Sequence, residues 1–387
     1  MAILSVCGEP WGGSEELWFE AACALRDAGH GVDVFKTNVD RAQPRVRELC
    51  ARGCAVADLN LGGPRLLWHA MTAPSLRPVT VPLQLALRGP RLRLRSRPDL
   101  AVVSQGGNYD GVNFARVCQR LGLPYVLVSQ KASAIHWPQD RVRAYIRAVH
   151  EDALRTVFVS ERNLRLTQLQ LDADLPRAEV LANPVLAGHA GPLAWPGIEG
   201  PLRLACVGRL FVLEKGQDLL LETLARPHWR KRGIRLSLYG DGLNREGLEG
   251  MARRLGLEGV TFHGHVDDIE SVWRDHHALI LPSRAEGAPL VVHEAMACGR
   301  VPIVADVGGA AEVVDDGVTG FVAEGAGAAG LDAALERAWG RRDEWEAIGQ
   351  RACRRVADMR RARGHAPLAA LVMRELDRIQ PGTNSSS

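Results

Sequence analysis

With 387 residues, of which 46% are hydrophobic and 24% charged, the chain has the composition of a globular protein and the length of two domains of roughly 180 residues each. A formal net charge of +3 is too small to argue for nucleic acid, and no apolar run reaches the ~18 residues a membrane-spanning helix needs. The eight cysteines are scattered, with only Cys50 and Cys54 close together and no histidines beside them, so zinc is not expected and reduced thiols in a cytoplasmic protein are.

The N-terminus, "MAILSVCGEPWGG", has no basic stretch and runs straight into a strand pattern, unlike a signal peptide. Apolar runs at 3–7, 32–35, 100–103, 125–128 and 156–160 predict buried strands, and helical spacing at 14–29, 40–52, 109–121 and 161–170 falls between them. This alternation predicts an α/β fold on parallel sheets. In the first loop Gly12 and Gly13 permit close approach of the backbone to a ligand, and Ser14 is placed to cap the next helix. An ordinary strand-to-helix turn is the other reading. The stretch 60–98 is rich in Leu and Arg, with Arg88, Arg91, Arg93, Arg95 and Arg97 following an apolar run. It reads as an acceptor-binding or interfacial helix on anionic lipid or, preferred here, as an amphipathic helix packed on its own sheet. The loops "SQGGNYDG" (104–111) and "SQKASAIHWP" (129–138) offer Asp110, Lys131 and His136 as polar candidates. A Pro- and Gly-rich stretch at 184–201 breaks the periodicity and reads as a linker between domains spanning 1–183 and 202–365.

After it the alternation restarts, with strands expected at 202–208, 234–240, 260–264, 278–282 and 301–305 and helices at 216–226, 244–256, 267–275, 290–299 and 327–339. Residues 342–378 continue at helical spacing and the tail "PGTNSSS" carries no pattern. Two doubly wound domains in series imply a cleft, with ligands beyond the carboxyl ends of the strands. Such a place is occupied by "PSRAEGAPLVVHEAMACG" (282–299), where Glu286 lies in a loop, Pro289 at the expected first helical position and Glu294 one turn past Leu290. The amides of Leu290, Val291 and Val292 would face outward, and a helix N-terminus is a ready phosphate site. Carboxylates on either side accept strongly from hydroxyls. A ligand with a central diphosphate and hydroxyls at both ends fits that arrangement. Lys215 is one of only four lysines, with Lys36, Lys131 and Lys231, in a chain whose other cations are arginines. That bias marks it for a point-charge role at phosphate.

The stretch "EGAPLVVHEAMA" resembles the E-x7-E signature of the GT-B fold glycosyltransferases, most closely glycosyltransferase family 4 (glycosyl transferases group 1). "CVGRLFVLEKGQDLLL" (206–221), "YGDGLNREGLEGMARRLGLEGVTFHGHVDD" (239–268) and "VGGAAEVVDDGVTGFV" (307–322) resemble further family segments in the same order. The resemblance implies two Rossmann-like domains, with Glu286 near the transferred sugar and Glu294 on the ribose. It also implies Arg209 and Lys215 on the diphosphate, Gly264 and Val266 facing the base, and Gly13, Gly287, Pro289 and Leu290 as further donor contacts. In the first domain Gln130 stands where many members have a histidine, which leaves Asp110 and His136 as the catalytic candidates beside Glu286. The activity so implied moves a sugar from a UDP- or GDP-sugar to a hydroxyl of a small-molecule, glycan or lipid-linked acceptor, with retention. No metal, other cofactor or nucleic acid is expected, since two cations can serve in a metal's place. The expected location is the cytoplasm, at the inner membrane surface if 60–98 touches lipid. A last helix over 366–380 is expected to cross back to the first domain. The rival readings are a nucleotide-sugar epimerase and an inactive sugar-nucleotide-binding subunit.

Overall fold

Short buried runs joined by helices give two parallel sheets in a computed structural model, which describes residues 1–59, 98–107, 109–185, 191–197 and 200–380. By its internal contacts the chain divides into one unit of Met1–Asn183 with His365–Ser387 and a second of Pro184–Gly364. The stretch 60–98, with its arginine cluster, lies outside the described residues up to Arg97, as does the tail.

The first unit holds β1 (Ala2–Ser5), β2 (Asp33–Lys36), β3 (Ala55–Asp58), β4 (Ala101–Gln105), β5 (Tyr125–Ser129), β6 (Arg155–Phe158) and β7 (Ala178–Val180) in the order β3-β2-β1-β4-β5-β6-β7. Every pairing is parallel. β1, β4 and β5 are buried along their whole length, as strands covered on both faces must be. β3 and β7, absent from the sequence reading, are the two edges, where one partner suffices and little apolar patterning is needed. The helix Asp140–Asp152 also had no sequence forecast; its buried Ile146, Val149 and His150 are a narrow stripe on an otherwise polar segment. The last helix, Pro367–Ile379, belongs to this unit. It buries Leu368, Leu371 and Val372, and its Glu375 carboxylate is 3.2 Å from Arg155 of β6.

The second unit holds β8 (Arg203–Val207), β9 (Arg235–Tyr239), β10 (Val260–Gly264), β11 (Ala278–Leu281), β12 (Val301–Ala305) and β13 (Phe321–Ala323) in the order β10-β9-β8-β11-β12-β13. Successive side chains alternate between its two faces. Leu204, Cys206, Ile280 and Ile303 pack with Trp229 and Trp345. Ala205, Leu279, Leu281 and Val304 pack with Val292, Ala295 and Met296 of the helix Leu290–Ala297. That packing places the start of this helix beside the carboxyl end of β11. The stretch 191–197 also packs here. Leu193 donates to the Cys298 carbonyl at 3.1 Å, and the buried Arg300 donates to the Ala194 carbonyl at 2.7 Å beneath the Trp195 ring.

In each sheet the strand order reverses between two neighbours, β1 and β4 in the first unit and β8 and β11 in the second. Crevices at such switch points are where doubly wound sheets take ligands.

Candidate active site

The chain leaves β8 through Gly208, Arg209 and Leu210 and enters a single helical turn, Val212–Lys215. Asn244, from the loop after β9, caps that turn by accepting from the Val212 amide at 3.1 Å. Arg209 Nη2 lies 3.1 Å from Glu214 Oε2, and the Arg209 side chain is 47% exposed. The turn ends at Gly216, whose φ of +64° and closeness to Pro282 admit no side chain: a Cβ would lie 2.1 Å from the Pro282 carbonyl oxygen. This contact brings Lys215 against the end of β11.

Beyond β11, Ser283, Arg284, Ala285 and Glu286 form the facing loop. Lys215 Nζ donates to Glu286 Oε1 at 2.6 Å, and Ser283 Oγ donates to the same oxygen at 2.7 Å. The Glu286 side chain is 8% exposed and that of Lys215 18%, so the pair is shielded from bulk water but reachable. Gly308, at φ +55°, presses on the other side; a Cβ there would meet the Glu286 carbonyl oxygen at 2.2 Å. Glu286 is thus confined between the loops after β8, β11 and β12.

Pro289 is the N-cap of Leu290–Ala297, with an extended ψ of 114°, and not its first helical residue. Val292 N–H donates to the Pro289 carbonyl at 3.2 Å. That corrects the expectation that three amides face outward: the amides this end can offer a ligand are those of Leu290 and Val291. Glu294 sits half-buried on the next turn and Gly287 is buried beneath the loop. Beside them His293 is buried, and burial pushes its imidazole down to about 4, so it is neutral at pH 7. Arg209, Lys215, Glu286 and the helix start are therefore brought to one place by the adjacency of β8 and β11.

Gly264 ends β10 and Val266 follows it, two strands from β8. The Gly264 carbonyl accepts from Gly240 N–H at 2.6 Å, and Asp241 accepts from His265 N–H at 3.0 Å, which fixes the backbone of this loop. Asp218 and Arg284 had drawn no attention in the sequence. Arg284 pairs with Asp218 through two bonds of 2.7 Å. Burial pushes the Asp218 carboxyl up, but the Arg284 guanidinium and nearby amides outweigh it and leave it below its ordinary value. Nor had Ser283 and Glu214, each within three residues of a chosen charge; spacing alone does not tell which neighbours turn inward.

In the first unit the corresponding loops follow β1 and β4. Gly13 opens a one-turn 3-10 helix, Gly13–Glu15, ahead of the helix Glu16–Asp27. The cap is not Ser14, whose hydroxyl approaches Cys7 Sγ at 3.6 Å; Glu15 Oε2 instead accepts from Gly12 N–H at 3.0 Å. Glu15 and Lys36 form a wholly buried ion pair at 3.0 Å. Burial pushes the Glu15 carboxyl up to about 7 against the pull of Lys36. Asp110 Oδ2 accepts from Gly107 N–H at 2.8 Å and shapes its own loop, while His136 is exposed in a turn closed by its N–H to the Ser133 carbonyl at 3.2 Å. Gln130 is buried, and neither side-chain polar atom has a partner among the described residues. Among the described residues no three His, Cys, Asp or Glu side chains gather as metal ligands, and no helix is long and apolar enough to cross a membrane.

The glycosyl transferases group 1 family matches residues 201–340. A D-inositol 3-phosphate glycosyltransferase of Segniliparus rotundus is 36% identical over 128 residues, covering 31% of this chain and 28% of that protein. A GDP-mannose-dependent alpha-(1-6)-phosphatidylinositol monomannoside mannosyltransferase of Mycolicibacterium smegmatis is 39% identical over 135 residues, covering 32% and 34%. These matches span about a third of the relatives' own length. Over the whole chain the fold is that of GT-B glycosyltransferases. Anabaena Alr3699/HepE in complex with UDP and glucose superposes with a TM-score of 0.69 at 20% identity, covering 96% of this chain and 98% of that one.

Proposed function

We propose that this chain, whose residues 201–340 are those of a group 1 glycosyltransferase, transfers a sugar from a nucleoside diphosphate sugar to an acceptor hydroxyl. The observation that carries the reading is the Lys215–Glu286 contact of 2.6 Å at the switch point of the second sheet, beside the half-exposed Arg209 side chain and a helix N-terminus.

Breaking the anomeric bond puts negative charge on the departing diphosphate. Arg209, Lys215 and the amides of Leu290 and Val291 supply positive potential where that charge grows, and a fixed donor of this kind is worth on the order of 3 kcal/mol of transition-state stabilisation. Glu286, oriented by Lys215 and Ser283, accepts from hydroxyls of the transferred sugar, and Glu294 accepts from the ribose. The fixed backbone at Gly264 and Val266 lies against the base, and Gly287 and Pro289 border the donor. Two cations do the work of a metal, so transfer proceeds without one; retention is what the family resemblance implies. The donor is a UDP- or GDP-sugar; one relative is named for dependence on GDP-mannose and one neighbour holds UDP and glucose. The acceptor is a small molecule, a glycan or a lipid-linked glycan, and Asp110 and His136 are the first-unit groups to test against it. The setting is the cytoplasm, with a membrane contact through 60–98 if the acceptor is lipid-linked.

Calorimetry with UDP and GDP, with and without EDTA, tests this reading. Binding of one nucleotide is expected in chelator and should weaken roughly ten- to a hundredfold in Lys215→Ala, the worth of one charged hydrogen bond. Binding lost with chelator would remove the metal-free reading, and binding of neither nucleotide would remove the function.

A further inference from the structure

Glu286 belongs to no helix or strand, yet its carboxylate must stay within reach of Lys215. The backbone holds it in part: Arg284 N–H and Ala285 N–H both donate to the Glu214 carbonyl, at 2.7 and 3.0 Å. The Arg284 guanidinium completes the attachment. Nη1 donates to the Val212 carbonyl at 2.6 Å and to Asp218 Oδ1 at 2.7 Å, and Nη2 donates to Asp218 Oδ2 at 2.7 Å. Val212 opens the turn that ends in Lys215, and Asp218 lies in the first turn of the next helix, Gln217–Leu224. The arginine therefore grips the chain on both sides of Gly216, the point where Lys215 meets β11.

We propose that Arg284 is a positioning residue: through Asp218 and the Val212 carbonyl it sets the separation of the Glu286 carboxylate from the Lys215 ammonium. The inference rests on the reading of those two groups as donor contacts given above. Its described bonds are to protein groups, and it acts through Glu286 without touching the reacting atoms. A planar fork meeting a carboxylate with two parallel bonds fixes angle as well as distance, which a lysine at this position cannot do. Any loosening here moves Glu286 relative to the turn that carries Lys215, because Ser283 to Glu286 are consecutive.

The test measures kcat and donor KM for Arg284→Lys, Arg284→Ala and Asp218→Asn, each with Glu286 intact and with Glu286→Ala. With Glu286 present, Arg284→Ala should lower kcat tenfold or more and change KM less than threefold. Arg284→Lys should recover only part of the loss. With Glu286→Ala, the same changes should cost less than twofold, because nothing is left to position. Equal losses in both backgrounds would overturn the proposal in favour of a general structural role. Should Arg284→Ala not fold, Asp218→Asn carries the same comparison with volume preserved. A second readout needs no activity: the four lysines, labelled with 13C at Cε, give one signal for Lys215 apart from Lys36, Lys131 and Lys231. Asp218→Asn should move the Lys215 signal, leave the other three in place and cause no further movement once Glu286 is alanine. An unmoved Lys215 signal would overturn the proposal. If that signal moves while the wild-type protein transfers no sugar, the proposed function fails and the positioning stands.

Discussion

At the switch point of the first unit, Lys36 turns all its described bonds inward, to Glu15 and to the carbonyls of Cys7, Glu9 and Thr37, and the pair is sealed at 1% and 0% exposure. At that of the second, Lys215 and Glu286 keep 18% and 8%, and Arg209 keeps 47%. Both units run a parallel sheet in the same strand order around the reversal, so the sheets do not account for the contrast. The first unit uses a buried ion pair to shape its loop between Cys7 and Gly12. Such a pair is weak evidence for stability but does constrain conformation. The second leaves its charges partly exposed at the crevice, where an anion can reach them. Shared architecture thus leaves the site to the loops.

The largest effect that would sharpen this comparison is steric. Gly216→Ala should destabilise the second unit by about 4 kcal/mol, because its Cβ would meet the Pro282 carbonyl at 2.1 Å with φ at +64°. Gly12→Ala in the first unit should stay within roughly 0.5 kcal/mol, since the nearest atom to its Cβ is the Ser14 hydroxyl at 3.9 Å and its φ is −155°. Urea unfolding of the two variants checks this. Similar losses in both would mean that the first loop is as tightly specified as the second.

Acid should act next, with opposing contributions in one unit and contributions of one sign in the other, where burial also pushes His276 and His277 down. His150 and His293 are buried, and burial pushes both imidazoles down to about 4 from 6.5. The folded state then binds fewer protons than the unfolded chain between those values. Stability therefore rises with pH from 4 to 6.5 and is lost as pH falls through that window, by on the order of 3 kcal/mol for each histidine. Glu15, raised to about 7, has the opposite sign: its folded state keeps a proton that the unfolded chain has released above about 4.5, so its contribution falls as pH rises towards 7. The second unit, with His293, should accordingly show the steeper acid loss. Melting followed between pH 4 and 7 in His150→Gln and His293→Gln tests the assignment, with His293→Gln expected to flatten the profile more. A larger flattening by His150→Gln would reverse it.

The smallest effect concerns the ligand. Glu294→Ala should weaken nucleotide binding by about 1.5–3 kcal/mol, the worth of a charged acceptor of hydroxyl groups. Replacing His136 by alanine should leave nucleotide affinity unchanged. Calorimetry with UDP and GDP on both variants would break the comparison if His136 proved the more costly.

Much of the second unit could be read in advance because its signals are local. Glu286, Pro289 and Glu294 lie within nine consecutive residues, and Arg209 and Lys215 within seven. A loop running into an apolar helix start is written in residue type and spacing. Even there Pro289 is a cap and not the first helical residue, a difference of one ψ angle that spacing does not encode. The first unit was harder. Its expected capping residue, Ser14, yields to Glu15 because the helix opens through a 3-10 turn with Lys36 of β2 beneath it. Edge strands β3, β7 and β13 escaped because an edge needs only one hydrogen-bonded neighbour and carries little apolar pattern.

Sequence alone determined the α/β class, the central buried strands and the E-x7-E stretch, since hydrophobic period and motif spacing act over a few residues. Tertiary structure decided which charges meet, those picked out by the sequence and those not. Lys215 and Glu286 are 71 positions apart, and Arg284 and Asp218 are 66. They come together because β8 lies next to β11 in the sheet, an adjacency set by how all six strands and their covering helices pack together and written in no single stretch of the chain.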